Sequence, residues 1–188
     1  FQVTREEQDK FALRSQEKAL NAQNKNKFKN EIVNFLIKSK KAEINFNKDE
    51  HPREGISLEA LSRLKPVFKK EGTVTAGNAS GINDGAAAVT LMTSEEAQRR
   101  NVEKLVTIKS WASCGVEPSL MGTGPIPSSK KALDIAGWSA KDVDLFEINE
   151  AFAAQSIAVI KTLSIPEEKV NVNGGAIALA HPIGASGT

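Results

Sequence analysis

The 188-residue sequence predicts an α/β layered fold preceded by an α+β region. Three observations carry that expectation. From Leu105 onward, strand-length and helix-length segments alternate, the pattern of a layered sheet. Near Gly72 the texture changes from Lys- and Asn-rich to small and turn-rich. The segment after Asn149 carries Phe152, Ala153, Ile157, Val159, Ile160 and Leu163 on nearly all sides of a helix, which suits an element buried from both directions.

The elements follow in order. Thr4-Arg5-Glu6-Glu7 reads as a capping box, opening a helix that runs to about Gln23 with Phe11, Leu13, Ala19 and Leu20 in it. Ile32 to Lys38 and Ala42 to Phe46 read as two short strands. Ser57 opens a helix with Leu58, Leu61 and Leu64 on one face, which Pro66 ends soon after. Ala86 to Met92 is a compact apolar run of buried-strand length. Thr93-Ser94-Glu95-Glu96 caps another helix. Leu105–Trp111, Asp142–Ile148 and Val170–Asn173 are then expected as strands, and Ser128–Ala136 and Glu150–Leu163 as helices.

Composition narrows the function classes. Apolar residues make up 40% and charged residues 26%, as in soluble globular proteins. Cys114 is the one cysteine, which excludes an internal disulfide and fits a reducing, cytoplasmic setting. No apolar run approaches the ~20 residues of a membrane span. The chain opens without Met and ends at Gly187-Thr188, and both ends read as cuts through a longer protein. Residues 1–70 hold 16 Lys/Arg against 10 Asp/Glu, a net of +6, which is either a solvated face or a surface that attracts a polyanion. Aromatics are only 5% and no nucleic-acid recognition motif is visible, so a phosphorylated small molecule serves at least as well.

Three stretches can carry chemistry. His181 stands in Gly174-Gly175-Ala176-Ile177-Ala178-Leu179-Ala180-His181-Pro182-Ile183-Gly184-Ala185-Ser186-Gly187, a setting of small residues that permits close approach. An imidazole held there is either a general base or oxyanion donor, or a hydrogen-bonded histidine of a tight turn. Asn149 and Glu150 fall at a strand-to-helix junction, where α/β proteins bind ligands. Asn149 is a helix cap or the holder of an oxyanion-donating water, and Glu150 a first-turn acid. Met121-Gly122-Thr123-Gly124-Pro125-Ile126-Pro127 specifies a rigid loop. Cys114 reads as a small core or loop residue, and His51, beside Pro52 and Arg53, as exposed. Two histidines and one cysteine, widely spaced, do not make a zinc site.

Taken together and in order, these stretches resemble the thiolase family. Residues 174–187 look like its histidine motif, Asn149-Glu150-Ala151-Phe152 its asparagine motif, and Met121–Pro125 its substrate loop. Asn78–Ala87 and Pro52-Arg53 ahead of Leu58–Phe68 also match. The closest likeness is to biosynthetic acetyl-CoA acetyltransferases. The resemblance implies a truncated layered αβαβα fold with an α+β loop domain. Residues 1–82 would be most of the loop domain over coenzyme A, 83–103 would close the first half, and 104–188 would form the truncated second half.

The implied activity is Claisen condensation of two acetyl-CoA to acetoacetyl-CoA and the reverse thiolysis, through an acyl-cysteine. His181 would be the base and an oxyanion donor, and Asn149 would hold the oxyanion water. Met121 and Phe152 would line the acyl pocket. Ser80 and Ala76 would meet the pantetheine arm, with Arg53, Leu64 and Phe68 near the adenosine end. Coenzyme A enters as substrate, with no permanently bound cofactor and no metal. The full-length protein is expected to be a homodimer or homotetramer, binding neither nucleic acid nor membrane. Cys114 matches neither cysteine motif of the family, so the chain alone is expected to be inactive. Ala180 stands where the family usually has glycine, at a cost of ~1 kcal/mol or more if φ is positive there. A degradative 3-ketoacyl-CoA thiolase and a non-catalytic CoA- or lipid-binding relative are the alternatives.

Overall fold

The computed structural model describes residues 1–38 and 42–188. Its spine is helix α1, Arg5–Asn24. The expected capping box opens it: Glu7 N donates to Thr4 Oγ1 at 3.2 Å and Thr4 N donates to Glu7 Oε2 at 2.7 Å. The inward face carries Gln8, Asp9, Phe11, Ala12, Ser15, Gln16, Ala19 and Ala22. Half of that face is polar, so α1 is anchored by side-chain hydrogen bonds as well as by packing. Gln8 Nε2 donates to Thr73 Oγ1 at 2.9 Å, Asn78 Nδ2 to Asp9 Oδ1 at 3.0 Å, and Arg53 N to Gln16 Oε1 at 2.8 Å. Leu13 and Leu20, whose apolarity suggested a core role, are only partly buried.

Two short strands, β1 (Phe35–Lys38) and β2 (Glu43–Phe46), pair antiparallel with Phe35 opposite Phe46, and all eight residues are exposed. Helix α2 (Leu58–Ser62) is capped by Ser57 and ends well before Pro66. Of its apolar face Leu61 alone is buried, while Leu58 and Leu64 are partly exposed. Helices α3 (Ser94–Arg99), α4 (Pro125–Ala136), α5 (Ala153–Leu163) and α6 (Ala176–Leu179) follow. Thr93 caps α3 as expected. Pro at the first turn of α4 starts it earlier than Ser128, because a missing N–H costs nothing there.

Phe11, Ala12, Leu61, Ala153, Ile157, Ile160, Ile165, Val170 and Ile177 form one buried cluster, joining α1, α2, α5 and α6. Burying each large member contributes about 1.5–3 kcal/mol. Five consecutive residues of α5, Ser156–Ile160, are buried, so that helix is covered on all sides as its sequence requires.

The expected strands behave differently. Residues 86–92 and 105–111 belong to no strand, and Val89, Leu91, Leu105, Val106, Ile108 and Trp111 are exposed. Their apolar patterns are those of strands, but among the described residues they have no ladder partner and no covering layer. Asp142–Ile148 and Val170–Asn173 reduce to one parallel bridge, Phe146 to Val170, with Phe146 N donating to Lys169 O and Asn171 N to Phe146 O, each at 2.9 Å. No helix among the described residues is long and apolar enough to cross a membrane.

Candidate active site

The site is assembled where the chain leaves residues 146–149 and where it leaves α6. Asn149 Nδ2 lies 3.1 Å from His181 Nε2. The other ring nitrogen, Nδ1, lies 2.8 Å from Ser186 Oγ. Behind them, residues 78–87 close the turn. Ile82 bridges to His181, Asn83 Oδ1 faces His181 N, and a Cβ on Gly85 would stand 2.6 Å from Pro182 Cβ. Glycine at 85 is what lets that segment lie against the histidine turn.

Asn149 does not cap a helix. Helix α5 begins three residues later than Glu150, after Phe152 in an extended conformation (φ −143°, ψ 140°). Glu150 is the reason. It is not a solvated first-turn acid; it is 2% exposed. Its Oε2 accepts from Ser15 Oγ at 2.6 Å and from Ile177 N at 3.1 Å, and its Oε1 accepts from Asn171 Nδ2 at 2.8 Å. Asn171 in turn takes Ile148 N on its Oδ1 and gives Nδ2 to Ile148 O, both at 2.8 Å. Ser15 Oγ accepts from Gly175 N at 3.1 Å. A Cβ on Gly175 would fall 2.2 Å from Glu150 Cδ, so glycine is required there. This buried network joins α1, the segment ending at Asn149, and the start of α6. It fixes the residues on either side of the His–Asn pair.

Two charged groups flank the network. Lys18 Nζ donates to Val170 O at 2.6 Å. Burial first, then the neighbouring Arg14, holds its ammonium below the ordinary lysine range, while Glu150 opposes that shift. Partial desolvation, then the Glu150 charge, holds the Glu147 carboxyl above the ordinary carboxylate range.

His51 is not the exposed residue its charged surroundings suggested. It is half-buried, and its Nδ1 lies 2.7 Å from Ala178 O, on α6 just before the His181 turn. Ala180 closes α6 with φ +82° and ψ 168°, a region that only glycine occupies without strain. Ala180→Gly should therefore stabilise the chain by about 1–3 kcal/mol. Urea denaturation of the two forms checks this, and an unchanged midpoint would show the strain absent.

The remaining expected residues each have their own local contacts. A Cβ on Gly77 would meet Leu61 and Leu64 at 2.5 Å, so Leu64 packs on the backbone beside Ala76. Phe68 meets Phe152 edge-on, with ring centroids 5.9 Å apart. Ser80 N and Oγ both donate to Ala151 O, at 3.0 and 3.2 Å. Met121, Asn149 and Phe152 line a cleft of about 390 Å³ between α4 and α5. Arg53 is exposed, and what is fixed of it is its backbone N–H on Gln16. Cys114 is a half-buried loop residue with a free thiol. Among the described residues no cluster of three or more His, Cys, Asp or Glu could hold a metal. Sequence reasoning missed the roles of Ser15, Asn83, Asn171 and Ser186. Only Ser186, five residues from His181 in the same turn-rich run, carried a local signal.

Comparison with known proteins identifies the family. The thiolase N-terminal domain family matches residues 1–95 and the thiolase C-terminal domain family residues 102–188. An acetyl-CoA acetyltransferase of Rhizobium meliloti (strain 1021) is 59% identical over all of this chain and 48% of its own length. A cytosolic acetyl-CoA acetyltransferase of Mus musculus is 57% identical over the same shares. The crystal structure of the Bacillus anthracis acetyl-CoA acetyltransferase superposes with a TM-score of 0.93 at 51% identity, covering 98% of this chain and 47% of that one. Human mitochondrial 3-ketoacyl-CoA thiolase gives 0.89 at 44% identity, covering 98% and 46%. The chain spans about half the length of the relatives it matches. With two family domains matched in order along nearly every residue, and with the fold of solved members, the chain belongs to the thiolase family.

Proposed function

We propose that these residues supply the histidine–asparagine half of an acetyl-CoA C-acetyltransferase. That enzyme condenses two acetyl-CoA to acetoacetyl-CoA and free CoA, and runs the reverse thiolysis. The observation that carries the reading is the 3.1 Å approach of Asn149 Nδ2 to His181 Nε2. In the first half-reaction a cysteine thiol gives its proton to His181, and the thiolate attacks the thioester carbonyl. The C–S bond to CoA breaks, and the departing CoA thiolate takes the proton back. In the second half-reaction another acetyl-CoA gives a proton from the carbon beside its carbonyl to the thiolate of a second cysteine, which returns it to the nucleophilic cysteine when that sulfur leaves. That carbon attacks the acyl-cysteine, and the cysteine sulfur leaves. Charge collects on a thioester oxygen in both halves, and donors fixed beforehand stabilise it. A water held by Asn149 is such a donor in both halves, and His181 joins it in the first while its ring carries the thiol proton.

The reaction needs two thiols, and Cys114 matches neither cysteine motif of the family. The nucleophile therefore comes from polypeptide beyond these residues, and this chain by itself does not turn over. Residues 1–82 cover coenzyme A, 83–103 close the first half of the fold, and 104–188 begin the second. Leu64, Phe68, Ala76 and Ser80 form the wall for the CoA arm, with Arg53 toward its phosphates, and Met121 and Phe152 line the acyl pocket. The +6 surplus of residues 1–70 suits that polyanionic end. The names of the relatives at 59% and 57% identity favour acetyl transfer over long-chain degradation, and one of those names supports a cytoplasmic location. The exposed β1–β2 hairpin, with Phe35, Leu36, Ile37, Ile44 and Phe46 open, supports a homodimer or homotetramer.

Asn149→Ala in the complete enzyme should lower kcat for acetoacetyl-CoA thiolysis about 10²–10³-fold, the usual effect of losing one oxyanion donor. A kcat within threefold of the parent would remove Asn149 from the mechanism.

A further inference from the structure

We propose that Ser186 is a positioning residue that fixes the tautomer of His181, keeping the proton on Nδ1 and the lone pair on Nε2. The role deepens the acyltransferase reading and rests on it for its catalytic meaning, but the tautomer is fixed by hydrogen-bond bookkeeping alone. A serine hydroxyl has one proton to give and lone pairs to receive. Ser186 Oγ lies 3.1 Å from Pro182 O, a carbonyl that can only accept. The hydroxyl proton is directed there. At 2.8 Å from His181 Nδ1 the same oxygen then has only lone pairs to offer, so Nδ1 carries the hydrogen.

The far side of the ring agrees with that assignment without fixing it, because a carboxamide can turn either its NH₂ or its oxygen toward the ring. Nε2 faces the amide nitrogen of Asn149 at 3.1 Å, and an NH₂ group can only donate. In that orientation Nε2 is the acceptor. One histidine nitrogen is set by the hydrogen bond the other makes, and here both bonds agree. The consequence is that the basic nitrogen faces Asn149, where a thiol proton would be received, while the protonated nitrogen is tied back into its own turn.

Ser186 is well placed for this because the turn does not depend on its side chain. Pro182 O also accepts Ala185 N at 2.8 Å and Ser186 N at 2.9 Å, so loss of the hydroxyl leaves the turn closed. Ser186 is exposed, and Ser186→Ala removes no packing.

Nitrogen-15 NMR of the imidazole in the 188-residue chain, above the pH at which the ring is charged, tests the assignment. The expected result is a protonated Nδ1 and an unprotonated Nε2. Ser186→Ala should shift the ring toward a mixture of both tautomers, and Ser186→Thr should restore the single form. A wild-type ring protonated on Nε2, or a Ser186→Ala ring with an unchanged tautomer, overturns the proposal. In the complete enzyme Ser186→Ala should lower kcat several-fold at unchanged KM, with recovery in Ser186→Thr. A changed tautomer with unchanged kcat would leave the hydrogen-bond assignment standing and overturn the catalytic role of Ser186, whereas the role of His181 as base fails only with His181→Ala, so the two failures are separable.

Discussion

His181→Ala in the complete enzyme should lower kcat for acetoacetyl-CoA thiolysis by about 10⁴-fold with little change in KM. The magnitude follows from two losses at one atom position. A positioned general base contributes about 10²–10⁴-fold, and an oxyanion donor another 10²–10³-fold. Effects of groups acting as a unit do not multiply, so the combined loss sits near the larger of the two. His181→Gln is the sharper variant, because it keeps a hydrogen-bonding tip without basicity. A comparable loss in His181→Gln assigns the effect to proton transfer, and recovery of much of the rate assigns it to the oxyanion. His181→Ala turning over within tenfold of the parent would remove His181 from the mechanism. Binding of coenzyme A should persist in both, since the contacts of Leu64 and Ser80 do not involve His181.

Glu150→Ala should destabilise the chain by about 3–5 kcal/mol, the largest stability effect expected of any substitution at the site. Three donors, Ser15 Oγ, Ile177 N and Asn171 Nδ2, converge on this one carboxylate. Removing it strands them in a buried setting, at about 1–3 kcal/mol for each donor that finds no substitute. Total stabilities run about 5–15 kcal/mol, so such a loss threatens the folded state itself. At about 2–4 °C per kcal/mol for a chain of this size, Tm should fall by about 6–20 °C. Glu150→Gln separates charge from shape. Its NH₂ can satisfy no donor, so one of the three contacts must become donor against donor, and an intermediate loss is expected. A Tm within 2 °C of the parent in Glu150→Ala would show that the network does not hold the site together.

The lesson of Glu150 is general for this chain. Reading Asn149 and Glu150 as a strand-to-helix junction made the glutamate a helix-start acid by local preference. Tertiary satisfaction of Ser15 and Asn171 overrode that preference and delayed α5 to Ala153. His51 went the same way. Its charged neighbours argued for solvent, and one carbonyl more than a hundred residues away, Ala178 O, drew it inward. The strands at 86–92 and 105–111 failed for the opposite reason. Their apolar patterning was read correctly, but a strand exists only when another strand takes its hydrogen bonds, and the described residues hold none to do so.

What the sequence determined by itself was local. The Thr4 box, the Thr93 and Ser57 caps, the all-round apolar α5 and the glycine-rich histidine turn each depend on residues within a few positions of one another. Such interactions are encoded in spacing and need no knowledge of the rest of the chain. Tertiary structure alone decided that Asn149 and His181 meet, that Glu150 is buried, and that Ala180 takes a backbone conformation suited to glycine. Those outcomes turn on which distant donors and acceptors find each other. A buried polar group must be paired, but the sequence does not say with which partner.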